Sequence, residues 1–465
     1  MSAGGASRWS SAAPGLAAFA AVVLAMALAV SAGMFVPSAL AMVTVAGCAA
    51  LAGALAPPGT CSIAGRRATV GILALGLGAS WLHDLLYLPG VLVDPSRLGP
   101  FRPLLGAAGV LLLTYLWRGM PRWAASLRYP AIVTVGAALA VTVVLASPSP
   151  GIDVWEIQQR GAEGLLAGRN PYSLLYVNIY GPGTPFLDPS LLTPDGRFIT
   201  ACPYMPLVLL LDVPGAILGD VRWTMLAALV ASAVLLRWLG KGSLESELAG
   251  ALLLLQPQGF MVLELAWTEP LVLAGILLVA LAVTSAPAPS GWKAWLLPGL
   301  AAAFAVSAKQ YVPLLVLPFL VLVPRGARLR AVIVAAAGAA VLALPFLVID
   351  PRAFVRGVVE FQLRQPFRTD ALSWPAAIHS LGGPKLPPWP AFLLAGATLA
   401  LALRGKVTAG RTMLAASATW IVFVALNKQA FANYYWLAVG LLCASVALLL
   451  PAEPLGRQES RGGSP

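Results

Sequence analysis

Apolar runs of roughly 20 residues recur along almost the whole chain, each long enough to cross the roughly 30 Å hydrocarbon core of a bilayer as a helix. Short polar links separate them. The pattern predicts spans near 15–36, 37–56, 68–90, 101–118, 129–147, 222–239, 246–263, 269–285, 293–307, 311–324, 330–349, 389–404, 412–427 and 433–451. The fold class expected is therefore an all-α polytopic membrane protein of about 13 to 14 spans, because helices satisfy their backbone polar groups internally in lipid. The apolar stretch 203–218 is the exception. It is short, carries Asp212 and is interrupted by Pro206, Pro214 and Gly215, so it is expected to lie in or dip into the interface without crossing. The first run starts near Gly15 behind a single basic residue, Arg8. Its length and its uncharged link into the run at Pro37 favour a retained span over a cleaved signal.

Composition fits this picture: of 465 residues 59% are hydrophobic and 10% charged, against roughly 25% charged in soluble domains. The net charge of +12 comes from short basic punctuation between apolar runs, which argues against a nucleic-acid surface. Lys and Arg favour cytoplasmic loops. Arg66 and Arg67, Arg118 with Arg122 and Arg128, Arg237 with Lys241, Arg325 with Arg328 and Arg330, and Arg404 with Lys406 and Arg411 fall on alternate links, placing both termini inside. The chain then divides into N-terminal spans (1–147), a large outer loop (148–221), central spans (222–349), a second outer loop (350–388) and C-terminal spans with a tail (389–465). Function is expected in the two large loops. No internal repeat is visible. The four cysteines, Cys48, Cys61, Cys202 and Cys443, and the two histidines, His83 and His379, lack the spacing of a disulfide framework or metal cluster, and no metal or cofactor is expected.

The first loop opens with "GIDVWEIQQRGAEGLLAGRNPYS", residues 151–173. Trp155, Ala162, Leu165 and Leu166 share one helical face, and Glu156, Gln159, Arg160 and Glu163 another, predicting a short amphipathic helix on the membrane surface. Gly168 and Pro171 supply its stop. Asp153 followed by Glu156 has the form of a capping box, and Glu156 to Arg160 that of an i,i+4 pair. Asp188 and Asp195 stand in a Pro- and Gly-rich stretch and read as turn residues.

An acid directly after a span, an interfacial helix, then "GRNPYS" and "CPYMPL" resembles the GT-C glycosyltransferases, and within them most the family 87 type of polyprenol-phosphate-dependent mannosyltransferases. Met205 stands where that pattern usually has proline, and more spans precede the loop than in many relatives. The resemblance implies a GT-C-like helix bundle in a bacterial cell membrane with its active site on the outer side. It also implies an inverting transfer of mannose or a similar sugar from a polyprenyl-phosphate donor to a glycan or glycolipid acceptor. The alternative is a transporter or flippase of lipid-linked sugars.

Such a transfer needs a carboxylate to take the acceptor's proton, for which Asp153 is the candidate. Cations must stabilise the leaving phosphate, and Lys309 in "SAKQYVP", Arg364 and Arg368 in "FQLRQPFRTD" and Lys428 in "LNKQAFANYYW" lie on the outer side. Candidate sugar or acceptor contacts are Glu156, Asn170, Tyr172, Tyr204, Glu269, Gln310, Tyr311, Gln429 and Tyr434. Glu264, like Glu269, stands at the outer end of a span, where an acid is either functional or simply solvated, and Asp84, beside His83, is a weaker second acid. No glycine-rich phosphate loop appears, which disfavours a nucleotide donor.

Overall fold

The computed structural model of the protein describes residues 12–57, 59–117, 119–285, 291–404 and 407–452. Arg8, Arg118 and Lys406, counted above in the charge pattern, lie outside them. In chain order the α-helices are α1 (Ala13–Ser31), α2 (Pro37–Leu55), α3 (Ile63–Leu86), α4 (Phe101–Leu113), α5 (Arg122–Ala146), α6 (Asp153–Leu166), α7 (Pro206–Ile217), α8 (Arg222–Leu239), α9 (Leu244–Leu255) and α10 (Gly259–Glu264). They continue as α11 (Glu269–Thr284), α12 (Lys293–Val306), α13 (Val312–Val316), α14 (Arg328–Ile349), α15 (Pro351–Val355), α16 (Phe361–Arg364), α17 (Trp374–Ser380), α18 (Trp389–Ala402), α19 (Ala409–Ala425) and α20 (Ala432–Leu449). A single antiparallel pair, β1 (Tyr176–Val177) and β2 (Phe198–Ile199), stiffens the first loop.

Among the described residues seven helical segments are long and apolar enough to cross a membrane: α1, α2, α3, α5, α8, α20 and the stretch Arg325–Ile349 that contains α14. The protein is thus an all-α, multi-pass membrane protein. Shorter apolar helices, α7, α11, α12, α18 and α19 among them, pack between these. The predicted span 246–263 is broken: α9 ends at Leu255, Gln258 takes a left-handed conformation (φ 65°), and α10 restarts at Gly259.

Helix α20 is at the centre, packed on α1, α9, α11 and α19 with its Tyr435, Trp436 and Leu437 fully buried. Helix α14 is the opposite case. Only Ala331 and Phe346 are buried along it, and Leu329, Val341 and Val348 point outward, as suits a helix whose solvent is hydrocarbon. Where α14 meets α12, small residues let the backbones approach: a Cβ on Gly299 would come within 2.7 Å of Val334, and one on Gly338 within 2.7 Å of Ala303.

Cross-chain contacts sort the helix ends into two faces. On one, Arg66 binds Glu245 in a two-point pair (2.8 and 3.0 Å), while Arg237 at 3.1 Å, Arg128 at 3.4 Å and the Tyr115 hydroxyl at 3.0 Å converge on Glu247. Arg411 donates to the carbonyls of Ala54 and Ala56 at the end of α2. Three of the basic links, those of Arg66, Arg128 and Arg237, are therefore held by two acids that charge counting alone does not single out. The other face carries the two large loops and is called the site face below.

Both ends of helix α7 are tied to residues of the site face. Pro203 before it accepts from Gln310. After it, the buried Arg222 binds Asp220 and donates to the carbonyls of Val144, Ser147 and Glu264. With 12 residues, the helix is about 18 Å long. Glu264 is not a solvated acid: it is buried and accepts from the backbone N–H groups of Val91 and Leu92, both at 2.7 Å, tying down the α3–α4 link.

Candidate functional site

Asp153 is the first residue of α6, one position later than a cap. The N-cap is Ile152, extended at φ −134°, because a turn closed by Ile152 N–H to Pro150 O fixes the preceding backbone. The capping box does not form, and Glu156 binds Arg160 at 3.3 Å instead. The carboxylate of Asp153 is engaged elsewhere: the Tyr180 hydroxyl donates to Oδ1 at 3.0 Å. Tyr180 is set by Asn178, whose side-chain N–H groups reach the carbonyls of Gly181 and Gly196, both at 2.8 Å, and whose Oδ1 receives the Tyr180 N–H. The Tyr180 ring rests against Phe186 at 5.1 Å.

The buried face of α6 also differs from the expected one. Ile157, Gln158, Gln159, Gly161 and Ala162 are buried, whereas Leu166 is exposed. The reason is protein packing: α6 lies on α7, Gln158 donates to Ala266 O at 2.8 Å, and Gln159 accepts from Val221 N. Glutamine amides, not a greasy stripe, seat this helix.

Arg368 comes from the second loop. Its guanidinium lies 4.6 Å from the Phe186 ring centre and 4.8 Å from that of Phe431, and binds Asp370 through Nε at 2.8 Å and Nη2 at 2.5 Å. Its charge also acts on Asp153. Burial pushes the Asp153 carboxyl above the usual carboxylate range, opposed by the Tyr180 hydrogen bond, the helix-start N–H groups and Arg368. Crowded by protein atoms on most sides, Asp153 still keeps a partly exposed edge.

A second cluster sits around Glu269, the first residue of α11 and fully buried. Its Oε1 receives Lys309 Nζ at 2.5 Å and the Tyr311 hydroxyl at 2.9 Å, and its Oε2 has no hydrogen-bond partner among the described residues. Lys309 Nζ is 5.4 Å from the Tyr311 ring centre and 5.5 Å from that of Tyr434, and Trp420 stacks near Tyr311 at 4.4 Å. Tyr204 joins the clusters. Burial first, then the charges of Asp153 and Glu269, hold its hydroxyl proton tightly.

The remaining candidates act on backbone. Gln310 donates to the carbonyls of Pro203 and Val358, Gln429 to that of Pro366, and Lys428 to those of Leu363 and Gln365. Tyr172 donates to Tyr204 O at 2.7 Å, and Asn170 caps the turn containing Tyr172. Arg364 is exposed and binds Ser190 and Glu360. Asp188 and Asp195 are turn residues as expected.

Of the four expected phosphate-binding cations, then, Arg368 and Lys309 reach the acids of the site, each paired with a carboxylate, and Lys428 and Arg364 brace the second loop. Tyr180, Phe186, Asp370 and Phe431 belong to the site and carry no signal in a single sequence beyond the turn residues around Tyr180. Among the described residues no group of three or more His, Cys, Asp or Glu is gathered as for a metal ion. No family model, curated protein or solved structure matches this chain.

Proposed function

We propose that the protein is an integral-membrane glycosyltransferase with a GT-C-like bundle, moving a sugar such as mannose from a polyprenyl-phosphate donor to an acceptor hydroxyl with inversion. The observation that carries this reading is Asp153, a partly exposed carboxylate held by the Tyr180 hydroxyl and within reach of the Arg368 charge, on the face opposite the basic links. By the positive-inside rule that face is extracytoplasmic, where lipid-linked donors serve in place of nucleotide sugars.

In this reading the acceptor oxygen attacks the anomeric carbon as its proton passes to Asp153. The bond from that carbon to the phosphate oxygen breaks, and its electron pair leaves with the phosphate. Arg368 offers the planar two-point fork suited to that phosphate, releasing Asp370 to receive it. Lys309 and Glu269 hold the inner wall.

The test is Asp153→Asn in purified protein supplied with polyprenyl-phosphate mannose and a lipid acceptor. Transfer should fall by at least about 100-fold, the usual contribution of a general base, with the fold intact. Near-normal transfer would end the assignment. A second reading, a flippase of lipid-linked sugars, is favoured by the break between α9 and α10, since broken helices mark transport sites. It predicts donor movement across proteoliposomes without an acceptor, undiminished in Asp153→Asn.

A further inference from the structure

A separate cavity of about 370 Å³ opens at the site-face end of α3, lined by Asp84, Leu86, Tyr87, Leu88, Phe101 and Arg102 among others. None of these belongs to the group around Asp153. Its polar and apolar parts are arranged unequally. Asp84 is only 3% exposed; its Oδ1 lies 3.1 Å from His83 Nδ1, and its Oδ2 has no hydrogen-bond partner among the described residues. A buried carboxylate oxygen left unpaired is costly, and a donor supplied by a ligand would relieve that cost. The ring of Tyr87 stands 5.0 Å from that of His83 and flanks the acid. Arg102 lines the same cavity, is exposed, and forms no ion pair among the described residues. The lip is greasy: Leu86 is 65% and Leu88 54% exposed, at the end of a membrane-crossing helix whose surroundings are acyl chains.

We propose that this cavity binds the head group of a phospholipid carrying both a phosphate and a primary ammonium, as phosphatidylethanolamine does. The ammonium donates N–H to Asp84 Oδ2 and lies against the Tyr87 face, where a cation is attracted by the ring. The phosphate meets the Arg102 guanidinium, and the acyl chains leave over Leu86 and Leu88. At about 370 Å³ the cavity falls within the roughly 300–1,000 Å³ of small-ligand sites. The pairing also sets a specificity. A quaternary choline head has no N–H to give Asp84, and a glycerol head has no positive charge, so both leave the carboxylate poorly matched. This site is independent of the glycosyltransferase reading.

Native mass spectrometry of the full-length protein in detergent, titrated with palmitoyl-oleoyl phosphatidylethanolamine, phosphatidylcholine or phosphatidylglycerol, tests it. The first ethanolamine lipid should bind about tenfold or more tighter than either other lipid, the scale of one charge-assisted hydrogen bond. Asp84→Asn should erase that preference, and Arg102→Glu, at an exposed position, should weaken the ethanolamine lipid several-fold. Free phosphoethanolamine should compete only at far higher concentration, because it lacks the chains that the apolar lip holds. Equal binding of the three lipids by the wild type, a preference that survives Asp84→Asn, or unchanged binding in Arg102→Glu would each overturn the proposal. So would free phosphoethanolamine as potent as the lipid. If Asp84→Asn does not fold, the Arg102→Glu and lipid-selectivity arms still decide.

Discussion

The Tyr180 hydroxyl donates to Asp153 Oδ1 at 3.0 Å across 27 residues of the first loop. That bond stabilises the carboxylate, so its loss moves the acid in a defined direction. In Tyr180→Phe the Asp153 carboxyl should titrate still higher. The acidic limb of a pH–rate profile for transfer should shift to higher pH, with a fall of about tenfold in rate near neutral pH, within the usual range of one positioned hydrogen bond. A drop in rate with an unmoved limb would mean that the tyrosine contacts substrate and leaves Asp153 unaffected.

Asp153 also carries a stability signature. Burial raises its carboxyl in the folded state, so folding favours the protonated form. The stability this contributes is present below the unfolded value and is lost as pH rises through the folded one. Asp153→Asn should therefore melt at or above the wild-type temperature at pH 8, with the difference closing as pH drops into the range where aspartate is protonated. Thermal melts at stepped pH check this, and a variant that melts lower at pH 8 would assign Asp153 a structural role.

Lys309 and Glu269 form a pair with one member fully buried and the other 17% exposed. Removing one partner strands the other, at a cost of about 3–5 kcal/mol for buried pairs. Lys309→Met should lower the melting temperature sharply, and the double variant Lys309→Met with Glu269→Gln should recover much of it. Transfer should not recover if the lysine contributes to binding the donor. A double variant as unstable as the single one would show that the pair is not the reason.

Arg222 is the clearest structural arginine of the site face, fully buried and bound to Asp220 and three carbonyls. Arg222→Met should cost at least about 3 kcal/mol and reduce expression. By contrast, Arg364→Gln is exposed and should change stability by no more than about 0.5 kcal/mol, with transfer close to wild type. A loss of transfer above tenfold in Arg364→Gln would return that residue to the phosphate site.

Helix positions were largely legible because apolar run length and proline placement act locally. The basic links were legible for the same reason, while their acidic partners Glu245 and Glu247 were not, since pairing across the bundle leaves no mark along the chain. Within the site, Asp153 could be found from its place after a span. Its partner Tyr180 could not, because a hydroxyl 27 residues away is chosen by the turn that Asn178 builds. The capping box failed for a related reason: a Pro150 turn set the helix start one residue early, and sequence spacing does not register such a shift. On α6, Gln158 and Gln159 are buried although a hydrophobicity pattern counts them as polar surface, because their amides satisfy backbone groups inside the protein.

Gln310 donates from one amide nitrogen to Pro203 O at 2.9 Å and to Val358 O at 3.1 Å, while Gly357 presses so closely on the Cys202 carbonyl that no Cβ would fit. One side chain from the α12–α13 link thus joins the "CPY" segment to the π-helical turn Arg356–Glu360. Three parts of the chain far apart in sequence share two hydrogen atoms. Whatever widens the site must either break those bonds or move all three together, so the freedom of each loop is tied through Gln310 to that of the other.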